Sequence, residues 1–108
     1  MKEKIENLAS ADKTEFEAAD REIFEAFKAA LRSGEIRAAE KDENGDWQTN
    51  AWVKRGILLG FRMGKMVTMS FSGETFQFFD KETYPLRPTT LEDKIRIVPG
   101  GSTIRDGS

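Results

Sequence analysis

The sequence predicts an α+β fold of two main helices with a β-hairpin and a short irregular β region. Three observations carry this expectation. Apolar residues recur at three- and four-residue steps over residues 13–33 and again over 50–63. An Asn-Gly pair lies between two short β-prone segments, and beyond Gly64 the rhythm changes to period two. A chain of 108 residues, 38% hydrophobic and 33% charged, is long enough for one domain with its own core. Cys and His are both absent, which excludes a disulfide framework, a zinc finger, a thiol nucleophile and histidine-based catalysis.

In chain order, residues 1–12 carry only a weak signal: Met1, Ile5 and Leu8 share one helical face, but Ser10 and Asp12 interrupt it. From Lys13 the stripe Phe16, Ala19, Ile23, Phe27, Ala30 and Leu31 defines an amphipathic helix, with Glu15, Glu22, Glu25 and Lys28 on its other faces. Ser33-Gly34 closes it, because glycine tolerates the left-handed conformation of a helix end. Ile36 to Lys41 and Asp46 to Thr49 flank Asn44-Gly45 and predict a hairpin on a type I′ turn. Thr49 or Asn50 caps a second helix running to Met63, with Trp52, Val53, Ile57, Leu58 and Phe61 apolar and Lys54, Arg55 and Arg62 polar. The two helices are expected to meet over Ile23, Phe27, Leu31, Trp52, Ile57 and Phe61. Gly56 and Gly60 suggest close approach of another backbone.

Val67, Met69 and Phe71 alternate with Thr68, Ser70 and Ser72 as in a half-buried strand. Residues 72–74 form a turn, Phe76, Phe78 and Phe79 an extended segment, and a loop follows through Pro88. Thr89 or Thr90 caps one helical turn reaching Lys94, and Ile95 to Val98 reads as a last strand. The phenylalanines belong in the core of so small a domain; any left exposed mark an interface. Val98 and Ile104 stand six apart, separated by small and turn-forming residues. That spacing fits the start of a hexapeptide β-helix and a polar tail equally well.

Residues 1–46 carry a net charge of -5 and residues 47–108 of +3. This fits an anionic ligand near the second half, or simply segregated solvated faces. Lys54, Arg55, Arg62 and Lys65 lie near Trp52, yet a pI of about 5.3 and the lack of a binding module speak against nucleic acid. Gly60 to Lys65 imitates a phosphate-binding loop but closes a helix instead of opening one. Asp42, Asn44 and Asp46 imitate a calcium loop with Trp47 in place of its glycine, so no metal is expected. No stretch is apolar enough for a membrane span, and residues 1–10 lack a signal-peptide core; a cytoplasmic protein without membrane partners is expected.

Leu31 to Lys41, then Asn44 to Trp47, then Asn50 to Arg62 resemble the amino-terminal domain of the tetrahydrodipicolinate N-succinyltransferase family. Phe78 to Lys81 and Ile95 to Pro99 continue the likeness in the same order, so that it covers most of residues 20–104. Residues 1–20 match poorly, and Gly56, Gly100 and Gly101 replace alanine or proline of the commoner family form. The resemblance implies that residues 1–97 are the amino-terminal α+β domain and residues 98–108 the truncated start of a left-handed β-helix. It implies a bacterial, cytoplasmic, homotrimeric acyltransferase of the diaminopimelate route to lysine. Succinyl-CoA would be the acyl donor, with no further cofactor, and the opened tetrahydrodipicolinate the acceptor.

Family catalytic carboxylates lie on the β-helix, so the resemblance implies no catalytic residue in this chain and no activity of the chain alone. Should turnover occur, Asp80 and Asp106 would be the first bases to test. One family substrate-binding position falls within the chain, Arg96, whose planar guanidinium suits a dicarboxylate. A surface ion pair of Arg96 with Glu92 or Asp93 is the competing expectation. The rival function is a small stand-alone protein-interaction module without enzymatic activity, using exposed phenylalanines as its surface.

Overall fold

A computed structural model describes residues 1–69 and 77–108. Its helices are α1 (Lys2–Ser10), α2 (Ala18–Ser33) and α3 (Ala51–Met63). Strands β1 (Ala39–Lys41) and β2 (Trp47–Thr49) form one antiparallel pair, and β3 (Met66–Thr68) and β4 (Phe79–Lys81) another. One 3₁₀ turn follows at Leu91–Asp93. The arrangement is α+β, with a third helix beyond the two main ones.

That third helix is α1, and tertiary contacts explain why its sequence reads weakly. Nine residues are too few for a helix to persist alone in water. Ile5 and Leu8 are buried against α3, and Arg62 donates to the carbonyls of Leu8 (2.7 Å) and Ala9 (3.2 Å), satisfying orphan acceptors at the helix end. Glu6 forms an ion pair with Arg55 of α3. The second helix begins at Ala18, five residues later than its periodicity predicts. The Asp20 carboxylate accepts from the Glu17 amide at 3.0 Å and binds Lys13 at 2.5 Å, which fixes the helix start and leaves residues 11–17 outside it. Gly34 ends α2 at φ 80°, as expected.

The core contains Ile5, Leu8, Phe24, Phe27, Leu31, Val53, Leu59, Met63 and Tyr84, with Ile23, Trp52 and Ile57 partly buried at its margin. Phe61, expected inside, is exposed, although its ring lies 4.9 Å from that of Tyr84. Lys28, assigned to a polar face, is only 3% exposed. Gly56 and Gly60 do admit a close neighbour, but it is aromatic side chains and not backbone. A Cβ on Gly56 would meet the Phe27 ring at 2.5 Å, and one on Gly60 the Phe24 ring at 2.5 Å.

Both hairpins differ from expectation in detail. In the β1–β2 hairpin, Asp42 and Asp46 still pair, the Gly45 amide donates to the Asp42 carbonyl at 3.0 Å, and only Gly45 has positive φ (84°). This is a three-residue loop with a glycine bulge, not a type I′ turn. Its organiser is the Asp42 carboxylate, which accepts from the amides of Asn44 and Asp46 and from the Gln48 side chain. In the β3–β4 hairpin, Val67 opposes Asp80; the expected Phe71 position, the turn at 72–74 and Phe76 lie outside the described residues. Phe78 and Phe79 are exposed. The helical turn expected after Thr89 or Thr90 is present as a 3₁₀ turn with Thr90 at its cap and Lys94 in the left-handed region at φ 54°. Ile95 to Val98 is not a strand, because no partner strand pairs with it among the described residues.

Phe27→Ala should cost about 3–5 kcal/mol, as expected for emptying a fully buried aromatic site. Gly60→Ala should cost about 1–3 kcal/mol despite its better helix propensity, because the methyl must displace packed rings. Denaturant midpoints check both, and an unshifted midpoint in either variant would contradict this packing.

Candidate functional site

Arg96 sits in a loop, residues 88–103, whose two ends are brought together. At its base Leu86 bridges Arg105, the Arg87 amide donates to the Ile104 carbonyl at 2.9 Å, and the Asp106 amide to the Pro85 carbonyl at 2.8 Å. Inside the loop the Asp93 carboxylate accepts from the Thr90 amide at 2.8 Å and lies 3.7 Å from Arg87. Gly100 and Gly101 turn the chain at φ 107° and 116°, which other residues rarely adopt. Arg96 is exposed and makes no hydrogen bond or ion pair among the described residues. The competing ion pair with Glu92 or Asp93 does not form, since Asp93 is taken by Arg87 and Thr90. Ile95 and Ile97 are exposed as well, so the strand-like alternation that would set Arg96 opposite them is absent.

Asp80 and Asp106, the two carboxylates singled out as reserve bases, are both engaged. Asp80 pairs with Arg105. Asp106 receives both arms of the Arg32 guanidinium, Nε on Oδ1 and Nη2 on Oδ2, each at 2.7 Å, and Lys28 Nζ lies 3.4 Å from Oδ2. The Arg32 hydrogen bond is the main reason that the Asp106 carboxyl is held below the usual carboxylate range; nearby Lys28 adds to the effect. A depressed carboxylate with both oxygens occupied is a poor proton acceptor near neutrality.

Lys28 completes this cluster, donating to the Thr83 carbonyl at 2.9 Å and to Glu25 at 3.0 Å. Sequence reasoning missed it, yet a signal existed: Lys28 lies four residues after Phe24 and three before Leu31, on the face those residues bury. Two of the four residues of the basic group near Trp52 are spent on structure. Arg55 pairs with Glu6, Arg62 caps α1, and Trp52 packs edge-on to Phe27 at 5.9 Å.

The described residues thus define a small helical α+β domain in which the guanidiniums of Arg37 and Arg96 are both unpaired, the latter on a closed loop, without an assembled acid–base pair. The family described as tetrahydrodipicolinate N-succinyltransferase N-terminal matches residues 1–63, more than half of the chain. The chain belongs to this family. Proteins named 2,3,4,5-tetrahydropyridine-2,6-dicarboxylate N-succinyltransferase are similar to it in sequence. The one from Jannaschia sp. (strain CCS1) is 43% identical over 61 residues, 56% of this chain and 22% of that protein. Those from Polynucleobacter asymbioticus and Alkalilimnicola ehrlichii are 35% and 36% identical over 98 and 99 residues, covering 87% and 88% of this chain. In both cases the match spans 35% of the relative. The chain therefore spans about a fifth to a third of the curated relatives it matches.

The lowered Asp106 value has a signed consequence for folding. A carboxylate more acidic in the native than in the unfolded chain contributes stability above its unfolded value, and this is lost as pH falls through the native one. Asp20 and Asp42 act in the same direction. Unfolding midpoints should therefore fall between about pH 5 and about pH 2, and Asp106→Asn should flatten that acid limb. An acid limb of unchanged steepness in the variant would contradict the assignment.

Proposed function

We propose that this chain works as the amino-terminal domain of a bacterial, cytoplasmic, homotrimeric tetrahydrodipicolinate N-succinyltransferase of the diaminopimelate route to lysine. In this reading the amino nitrogen of the opened tetrahydrodipicolinate attacks the succinyl-CoA thioester carbonyl. A C–N bond forms, the C–S bond breaks, the amine proton passes to a base and CoA leaves as the thiol. The base and the acyl-donor groove belong to a left-handed β-helix that begins in residues 98–108 and lies largely outside this sequence. The domain's own contribution is Arg96, whose planar fork binds a substrate carboxylate.

The observation that supports this reading is the contrast between Arg96, unpaired among the described residues, and the engaged Asp80 and Asp106. It fits a part that binds an anion but does not move a proton. Exposed Phe61, Phe78 and Phe79 are what the stand-alone interaction module retains in its favour.

Incubated with succinyl-CoA and tetrahydrodipicolinate, the 108-residue chain should release no CoA thiol above background; measurable turnover would overturn the division of labour. In an enzyme that carries this domain with its β-helix, Arg96→Lys keeps the charge and loses the fork. The change should weaken dicarboxylate binding by about 1–3 kcal/mol, read in the KM for tetrahydrodipicolinate and not for succinyl-CoA. An equal change for both substrates, or none for either, would remove Arg96 from substrate binding.

A further inference from the structure

The loop that carries Arg96 has almost nothing of its own to hold it in place. No residue from 90 to 103 is buried; Leu91 is 95% exposed and even Ile95 and Ile97 are 42% and 41% exposed, so the loop has no buried side chain to anchor it between its ends. Its position depends on the base, where the antiparallel pairing consists of one bridge with two backbone hydrogen bonds. So short a ladder is marginal in water, and closing a loop of this length opposes it entropically.

We infer that Arg32, Lys28 and Asp106 form a clasp that closes the base of the 88–103 loop and so positions Arg96. Asp106 lies on the outgoing side of the base, and its own amide makes one of the two rungs. Thr83 precedes the incoming side. The Lys28 ammonium touches both, through the Thr83 carbonyl at 2.9 Å and the Asp106 carboxylate at 3.4 Å, and so ties the two sides to α2. Arg32 locks the same carboxylate through two parallel hydrogen bonds, the strongest geometry available to an ion pair.

An ordinary surface ion pair contributes little. This one is different in burial on two of its three members: Lys28 is 3% and Asp106 8% exposed, while Arg32 reaches in from the surface with its side chain 51% exposed, so losing a partner leaves the Asp106 or Lys28 charge in a site sheltered from water. Arg105 reinforces the base from the other side through its pair with Asp80 and a 3.4 Å hydrogen bond to the Tyr84 carbonyl. That the clasp serves substrate binding rests on the role proposed above for Arg96; the clasp itself does not.

Amide hydrogen exchange on this chain tests the clasp, with Asp106→Asn and Arg32→Lys as variants. In Asp106→Asn the amides at positions 87 and 106 should exchange about tenfold faster or more, as expected for losing a hydrogen bond to a charged group, while those of Leu59 and Met63 in α3 stay near their original rates. Arg32→Lys, which keeps charge but not the fork, should give a smaller rise at the same two amides, and it decides the matter if the first variant does not fold. Unchanged rates at 87 and 106, or an equal rise throughout α3, would overturn the clasp. In an enzyme carrying the domain, Asp106→Asn should raise the KM for tetrahydrodipicolinate severalfold while leaving the KM for succinyl-CoA in place. Faster local exchange with an unchanged KM would overturn the positioning of Arg96. An Arg96→Lys enzyme with unaltered KM values would instead count against the proposed function alone, since the exchange result does not depend on it.

Discussion

Bare backbone on one face of α3 is the constraint on which the rest of the structure depends. Because Gly56 and Gly60 carry no side chain, the rings of Phe27 and Phe24 come down onto the helix itself, and Tyr84 fits beside them, edge-on to Phe24 at 5.8 Å. The Tyr84 hydroxyl donates to the Ile57 carbonyl at 2.6 Å, and burial pushes its ionisation well above the usual range. The neighbouring Thr83 hydroxyl donates to the Gly60 carbonyl at 2.7 Å. Residues 83 and 84 are thus fixed on α3 by two hydrogen bonds that exist only because the helix is narrow there. From that point Lys28 extends the connection to Asp106, and the order of the core reaches the base of the Arg96 loop.

Much of this was legible in local pattern. The stripe of α2, the closing Gly34, the Asn-Gly hairpin and the Thr90 cap each follow from residues adjacent in sequence. What local pattern does not encode is which distant group completes an element. Helix α1 is short and reads as interrupted, yet Arg62, more than fifty residues later, supplies its terminal hydrogen bonds. Lys28 reads as solvated because lysine usually is, and its burial depends on a carbonyl at Thr83 and a carboxylate at Asp106. Ile95 to Val98 has strand composition but no partner strand among the described residues, and propensity without pairing does not make a sheet.

The candidate site was legible only in part. Arg96 entered through the family resemblance, and its surroundings came from the structure: a closed base, a glycine turn and no carboxylate paired with it among the described residues. Proline is confined to φ near −65°, so a proline at position 100 or 101 would require a different path from the one that the glycines take at 107° and 116°. Alanine at position 56 would need Phe27 and Ile5 to move, which makes Gly56 part of one packing arrangement with α1 and α2. The charge asymmetry has a structural account as well, since much of the basic second half is used internally: Arg55 and Arg62 on α1, Lys81 on the Gly64 carbonyl, and Arg105 on Asp80.

The most direct measurement of the central claim is the set of proton–proton nuclear Overhauser contacts made by the α-hydrogens of Gly56 and Gly60. Rings packed on bare helix backbone predict strong contacts from Gly56 to Phe27 and from Gly60 to Phe24 and Tyr84. Glycine α-hydrogens without aromatic contacts would contradict the account, because the connection from core to loop would then have no foundation.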